Sequence, residues 1–279
     1  MTFQDFLIQG FIGRYCNEHL SGTAYAVVTG IALLLCMLTY FVGSLNFSII
    51  ISKYFYHDDI RKYGSGNAGT TNMLRTYGTR AAALTLAGDA LKAVVSSLFG
   101  YLLLGFTGAY MAGFFCILGH IFPIYYHFKG GKGIVTVAFM VLMLDPVVFA
   151  ILLAIFILLV AASKMVSFGS VMCVLIYPMV LYQIEGPGIP IIFAFMIMVL
   201  VLFMHRENIM RIYRGEESKL DFAKLFGRKK QHKIDEDVSE AEHAPAETSD
   251  GTSKKPHAVS ADKKKRRKKQ QKNNRSGDN

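Results

Sequence analysis

Charge is scarce in this chain. Only 18% of its 279 residues are Asp, Glu, Lys or Arg, while 52% are hydrophobic and the mean hydropathy is +0.35. Soluble domains carry roughly 25% charged residues, so ordinary globular usage is excluded and a bilayer is indicated. Cysteine is also sparse. Cys16, Cys36, Cys116 and Cys173 lie far apart without a CxxC pair, and three of them sit in apolar runs. That pattern indicates neither a metal site nor a disulfide framework, and suits small apolar packing residues. A signal peptide is missing too: residues 1–22 hold Asp5, Arg14 and Glu18 but no basic n-region or small-residue cleavage site, so they read as a non-cleaved extension.

Long apolar runs are what the chain does have. A membrane helix needs roughly 20 mainly apolar residues, and the uncharged stretch 24–51 qualifies as the first span. Further runs fall at 81–104, 109–128, 134–144, 146–162, 166–182 and 189–204. The fold expected is therefore an all-α integral membrane protein with seven transmembrane helices, the fourth too short for an untilted crossing. Positive residues mark cytoplasmic loops. Lys53, Arg61, Lys62, Arg75 and Arg80, then Lys129 and Lys132, then Lys164, then Arg206, Arg211, Arg214, Lys219 and Lys224 fall in alternate segments, whereas the intervening turns hold only Asp145 and Glu185. This alternation predicts an outside N-terminus and a cytoplasmic C-terminus.

The domains expected are an N-terminal extension at 1–22, a seven-helix membrane domain at 23–225 and a charged, lysine-rich cytoplasmic tail at 226–279. Fifteen of the 30 Lys and Arg and nine of the 20 acids lie from Arg228 onward, so the tail holds six of the net ten positive charges. Its composition predicts disorder. The basic run 263–269 suits contact with anionic lipid or another polyanion, with no specific nucleic acid implied.

Polar chemistry concentrates in the segments of positive sign. The first reads Gly64-Ser-Gly-Asn-Ala-Gly-Thr-Thr-Asn-Met-Leu-Arg75. Its glycines let backbone N–H groups converge on an anion, its hydroxyls and amides add donors, and Arg75 offers phosphate a two-point fork. The second, Phe128-Lys-Gly-Gly-Lys-Gly133, puts two lysines at a helix start, where unpaired amides and the helix dipole favour anions. It lacks GxxxxGK[ST], and no downstream acid offers itself for magnesium, so nucleotide hydrolysis is not indicated. The third begins at His205, with Asn208 and Arg211 at helical spacing. Inside the apolar runs, His120 precedes Pro123 and reads as a packing residue, while Asp89 and Lys92, three apart on one face, read as an internal ion pair.

These segments, with Gly43-Ser44 and Gly119-His-Ile-Phe-Pro123, resemble the acyl-phosphate:glycerol-3-phosphate acyltransferase family, PlsY, over residues 39–219. The resemblance implies transfer of a fatty acyl group from acyl phosphate to the 1-hydroxyl of glycerol 3-phosphate, at the bacterial cytoplasmic membrane and without a cofactor or metal. It implies catalytic roles for Ser65, Arg75, Lys132 and His205. It implies substrate or phosphate contacts for Gly64, Gly66, Asn67, Gly69, Thr71, Asn72, Gly130, Gly131, Gly133 and Asn208, with Ser167 and Ser170 as weaker candidates. No Ser-His-Asp set accompanies them, and the HxxxxD match His232 to Asp237 falls in the tail. The resemblance instead makes a substrate phosphate the proton acceptor. A transporter of a phosphorylated solute is the main alternative, but its site belongs near the bilayer midplane between repeated halves, and no internal repeat is present. A lipid-binding scaffold would leave the glycine-rich loops without a use.

Overall fold

The computed structural model describes residues 22–220, all within the first of the chain's two units, Met1–Phe226. Except for Gly22, the N-terminal extension lies outside the described residues, as does the charged tail. Among the described residues every regular element is helical. The helices are α1 Gly22–Gly43, α2 Phe47–Tyr56, α3 Thr70–Tyr77, α4 Thr79–Ile121, α5 Ile134–Leu144, α6 Pro146–Ser163, α7 Val166–Glu185, α8 Ile189–Met204 and α9 Arg206–Tyr213. Single 3-10 turns occur at Ile60–Lys62 and Ile124–Tyr126.

Four stretches, Ala26–Tyr56, Thr79–Tyr126, Pro146–Ser163 and Val166–Glu185, are long and apolar enough to cross a bilayer, and α8 with α9 forms a further one bent by 60°. Thr79–Tyr126 does not run straight. Leu104 (φ −126°, ψ 18°) and Gly105 (φ 64°, ψ −153°) leave helical geometry. The chain then doubles back, so that Cys116 Sγ meets Lys92 O at 3.7 Å and Gly100 faces Gly108. Helix α4 is thus a hairpin of two arms, turning where the sequence places a turn. The second arm stops at Ile121 rather than continuing to 128, because Pro123 cannot extend a helix.

The apolar run 24–51 is likewise not one helix. It breaks after Gly43, and Asn46 starts α2 by accepting from Ile49 N at 3.2 Å and Ser48 Oγ at 2.6 Å. Backbone groups released inside a membrane must find protein partners. Lys92 Nζ supplies them, donating to Gly43 O at 2.9 Å and Leu45 O at 2.8 Å. The same ammonium lies 2.8 Å from Asp89 and 2.9 Å from His120 Nδ1, so the expected ion pair is a three-residue brace between both arms of α4 and the break.

Glycine permits the closest of these contacts. A Cβ on Gly119 would sit 2.8 Å from Ser44 N, so α1 and the second α4 arm pack backbone to backbone. One core, including Tyr110, Ile117, Met140, Tyr177 and Ile197, fills the bundle. A smaller one, with Ile49, Ile60, Ala68 and Met73, lies under the first polar loop. Helix α5 has 11 residues, about 16 Å at ~1.5 Å per residue, or roughly half a hydrocarbon core.

Candidate active site

The first glycine-rich loop is built from beneath. Ile60, Ala68 and Met73 are fully buried and pin it to α2 and α4. Gly64 (φ 57°) and Gly66 (φ 70°) take left-handed backbone, which side-chain-bearing residues disfavour. Asn72 then knots the turn: its Nδ2 donates to the carbonyls of Tyr63 (2.9 Å), Asn67 (3.0 Å) and Ile60 (3.3 Å), and its Oδ1 accepts from Ser65 N (3.1 Å). Its amide is therefore taken up by the loop itself, where the sequence suggested a ligand contact. Gly64, Ser65 and Gly66 stay exposed, with Asn67, Gly69, Thr71 and Arg75 half-buried beside them.

The lysine loop is fastened to the first. Arg61 pairs with Asp59 at 2.7 Å and donates through Nη1 to Tyr126 O (3.2 Å) and Lys129 O (3.0 Å). Gly130 N and Gly131 N donate to Ile121 O (3.1 Å) and His120 O (3.2 Å). Those two amides hold the loop down against the end of the second α4 arm. A side chain on Gly131 would collide with His120 and with Ala68 O. Gly133 (φ 80°) opens α5.

Lys132 projects from this loop, and its Nζ donates to Asn208 Oδ1 on α9. Asn208 Nδ2 reaches Glu217 Oε1 at 2.7 Å and Ser167 Oγ at 2.8 Å. Ser167 Oγ donates to Glu217 Oε1 at 2.6 Å, and Arg211 Nε to Glu217 Oε2 at 2.8 Å. Loops far apart in sequence therefore close into one polar cluster. His205, buried at the α8–α9 bend, places Nδ1 2.9 Å from Val201 O, which makes Nδ1 the donor and Nε2 the acceptor of the neutral ring. Ser170 does not join them, since its hydroxyl bonds Val166 O of its own helix at 3.0 Å.

Burial and the nearby Arg211 cation push the Lys132 ammonium down to about 8, with Arg75 adding to the effect and Glu217 and Glu207 opposing it. Arg75 and Lys132 thus act in one electrostatic field. Burial works to raise the Glu217 carboxyl, but hydrogen bonds from Ser167, Arg211 and Asn208 overcome it and hold the group below its usual range. The cluster therefore brings the cationic side chains Lys132 and Arg211 around a buried carboxylate that is already paired. Arg211 was placed beside Asn208 by helical spacing, but Glu217 was not among the candidate site residues. The charged run that carries them reads as a solvated juxtamembrane segment, and nothing in it signals that one of its acids turns inward. Asn46, whose Nδ2 also reaches Ala68 O at 3.4 Å, was hidden in the same way inside an apolar run.

The described residues thus form a helical bundle of membrane-protein hydrophobicity with a cation-bearing polar cluster assembled from its loops. The family model described as Glycerol-3-phosphate acyltransferase matches residues 33–215. The glycerol-3-phosphate acyltransferase of Finegoldia magna is 40% identical over 199 residues, 70% of this chain and 96% of its own. That of Thermoanaerobacter sp. is 40% identical over 196 residues, with the same shares of 70% and 96%. A crystal structure of PlsY, an integral membrane glycerol 3-phosphate acyltransferase in its glycerol 3-phosphate form, matches with a TM-score of 0.67 at 29% identity, covering 70% of this chain and 98% of that one. Its lysophosphatidic acid form gives 0.64 at 28% identity, with the same shares of 70% and 98%. The chain belongs to the glycerol-3-phosphate acyltransferase family.

Proposed function

We propose that this protein transfers a fatty acyl group from acyl phosphate to the 1-hydroxyl of glycerol 3-phosphate, releasing lysophosphatidate and inorganic phosphate at the cytoplasmic face of a bacterial inner membrane. The observation that carries this reading is the joining of Lys132, Asn208 and Ser167 into one cluster within the electrostatic reach of Arg75. Both substrates bear phosphate and one bears an acyl chain, so a cationic site at the end of an apolar bundle suits them together. The hydroxyl oxygen attacks the acyl carbon, the carbon–oxygen bond to phosphate breaks, and the departing phosphate takes the hydroxyl proton. Lys132 and Arg75 hold the phosphates and stabilise charge as it moves between them, while Ser65, His205 and Asn208 orient the reactants.

Seven crossings, with an outer N-terminus and a cytoplasmic C-terminus, complete the reading. They count the two arms of α4 separately and the short α5 as one, and the charge alternation between loops supports the orientation. The tail beyond residue 226 contacts anionic lipid without entering the reaction. The test is direct: purified protein with acyl phosphate and labelled glycerol 3-phosphate yields labelled lysophosphatidate. No product with acyl phosphate, acyl-CoA or acyl-carrier protein as donor overturns the assignment.

A further inference from the structure

Lys92 is a buried cation that stands apart from the polar cluster. It is 4% exposed, and its ammonium has three hydrogens to donate. All of them find acceptors: Gly43 O at 2.9 Å, Leu45 O at 2.8 Å and His120 Nδ1 at 2.9 Å. Asp89 Oδ1 stands 2.8 Å from the same nitrogen but takes no hydrogen bond from the described residues, so Asp89 serves as the counter-charge.

An ammonium only donates, so His120 Nδ1 accepts and the ring hydrogen sits on Nε2. That edge of the ring meets both loops. A Cβ on Gly131 would lie 2.3 Å from His120 Nε2 and 2.4 Å from Ala68 O, so the lysine loop and the first loop converge on the imidazole. A hydrogen on Nε2 suits a neighbouring carbonyl, whereas a bare Nε2 would set a lone pair beside it. The competing tautomer has a partner of its own, since Nδ1 is 3.4 Å from Asp89 Oδ1 and would donate there if Lys92 were absent.

We propose that Lys92 is a positioning residue of the acyl-transfer site, fixing the His120 tautomer against which both polar loops are seated. The role rests on the proposed acyl transfer and acts through His120 rather than on the substrate. Lys132 follows Gly131 in the chain, so a shift at this seat is carried to the Lys132 ammonium. By the same three donors Lys92 also holds the break between α1 and α2, where Asn46 Nδ2 reaches Ala68 O at 3.4 Å.

The experiment reads the imidazole nitrogen NMR shifts of His120 and steady-state acyl transfer for wild type, Lys92→Met, Asp89→Asn and the double variant, in matched detergent at equal folded yield. Wild type is expected to show a bare Nδ1 and a protonated Nε2. Lys92→Met moves a hydrogen onto Nδ1 and slows turnover at least about tenfold, toward the hundredfold or so that a misplacement of roughly 1 Å costs. Asp89→Asn keeps every donor of Lys92 and stays close to wild-type turnover. Removing both members of a buried ion pair is milder than removing one, so the double variant is decisive: a mere ion pair predicts restored turnover, and positioning predicts a rate as low as that of Lys92→Met. Restored turnover in the double variant overturns the proposal, as does a hydrogen on Nδ1 in wild type. Should the variants fail to insert, the wild-type tautomer decides. A wild-type protein with the expected tautomer but no acyl transfer refutes the activity itself, an outcome separate from these.

Discussion

Lys132 and Arg75 carry the largest expected effects of any residues in the chain. Neither belongs to either apolar core, so Lys132→Ala and Arg75→Ala are expected to leave the bundle folded. Each should remove roughly 2.7–4 kcal/mol of transition-state stabilisation, the scale of one oxyanion donor, or about a hundredfold or more in turnover. Arg75→Lys should recover little, because an ammonium lacks the planar two-point grip. The pH dependence follows from Lys132, whose ammonium is lowered to about 8. Lys132 is protonated below that value and neutral above it, so kcat/KM is expected to fall as pH rises through about 8. A flat profile from pH 7 to 9 would remove Lys132 from its charged role. At this scale the polar loops were legible by residue type, and two of the candidates that the family resemblance implies, Lys132 and Asn208, meet in the structure. The direction of a side chain was not legible. Asn72 and Ser170 look like ligand donors but bond backbone, whereas Glu217 looks like a solvated charge and is buried.

Helices were legible as apolar runs, and the turn at Gly105 falls between two of them. What composition cannot see is a break that leaves hydrophobicity unchanged. The run 24–51 stays apolar through the break at Gly43, where Asn46 inside it and Lys92 on another helix bond the backbone groups the break releases. The contact of α1 with α4 has a sharper requirement. Gly119 lies where any Cβ would overlap the backbone at Gly43 and Ser44, so Gly119→Leu is expected to destabilise by at least the 1–3 kcal/mol or so typical of overpacking. Thermal unfolding in detergent measures it, and an unchanged midpoint would mean the two helices do not pack this closely. Pro123 acts at the same scale. By ending the second arm of α4 it starts the turn from which the lysine loop is hung.

For the whole molecule, the family match and the described bundle leave the segment from Arg228 onward outside the proposed chemistry. Removing that segment is expected to leave turnover within about twofold of the full chain, since no residue of the cluster lies there. A truncated protein that inserts properly but is inactive would give the tail a catalytic role. Sidedness is the property on which fold and function meet, because the proposal puts 64–72, 129–133 and the chain beyond His205 on one face. The decisive measurement uses sealed proteoliposomes of known orientation, loaded with acyl phosphate in the bilayer and given labelled glycerol 3-phosphate on one side at a time. Lysophosphatidate is predicted only when glycerol 3-phosphate reaches the face that bears Lys132. Product formed from the opposite face, or none from either face and none after the vesicles are opened, would contradict the account.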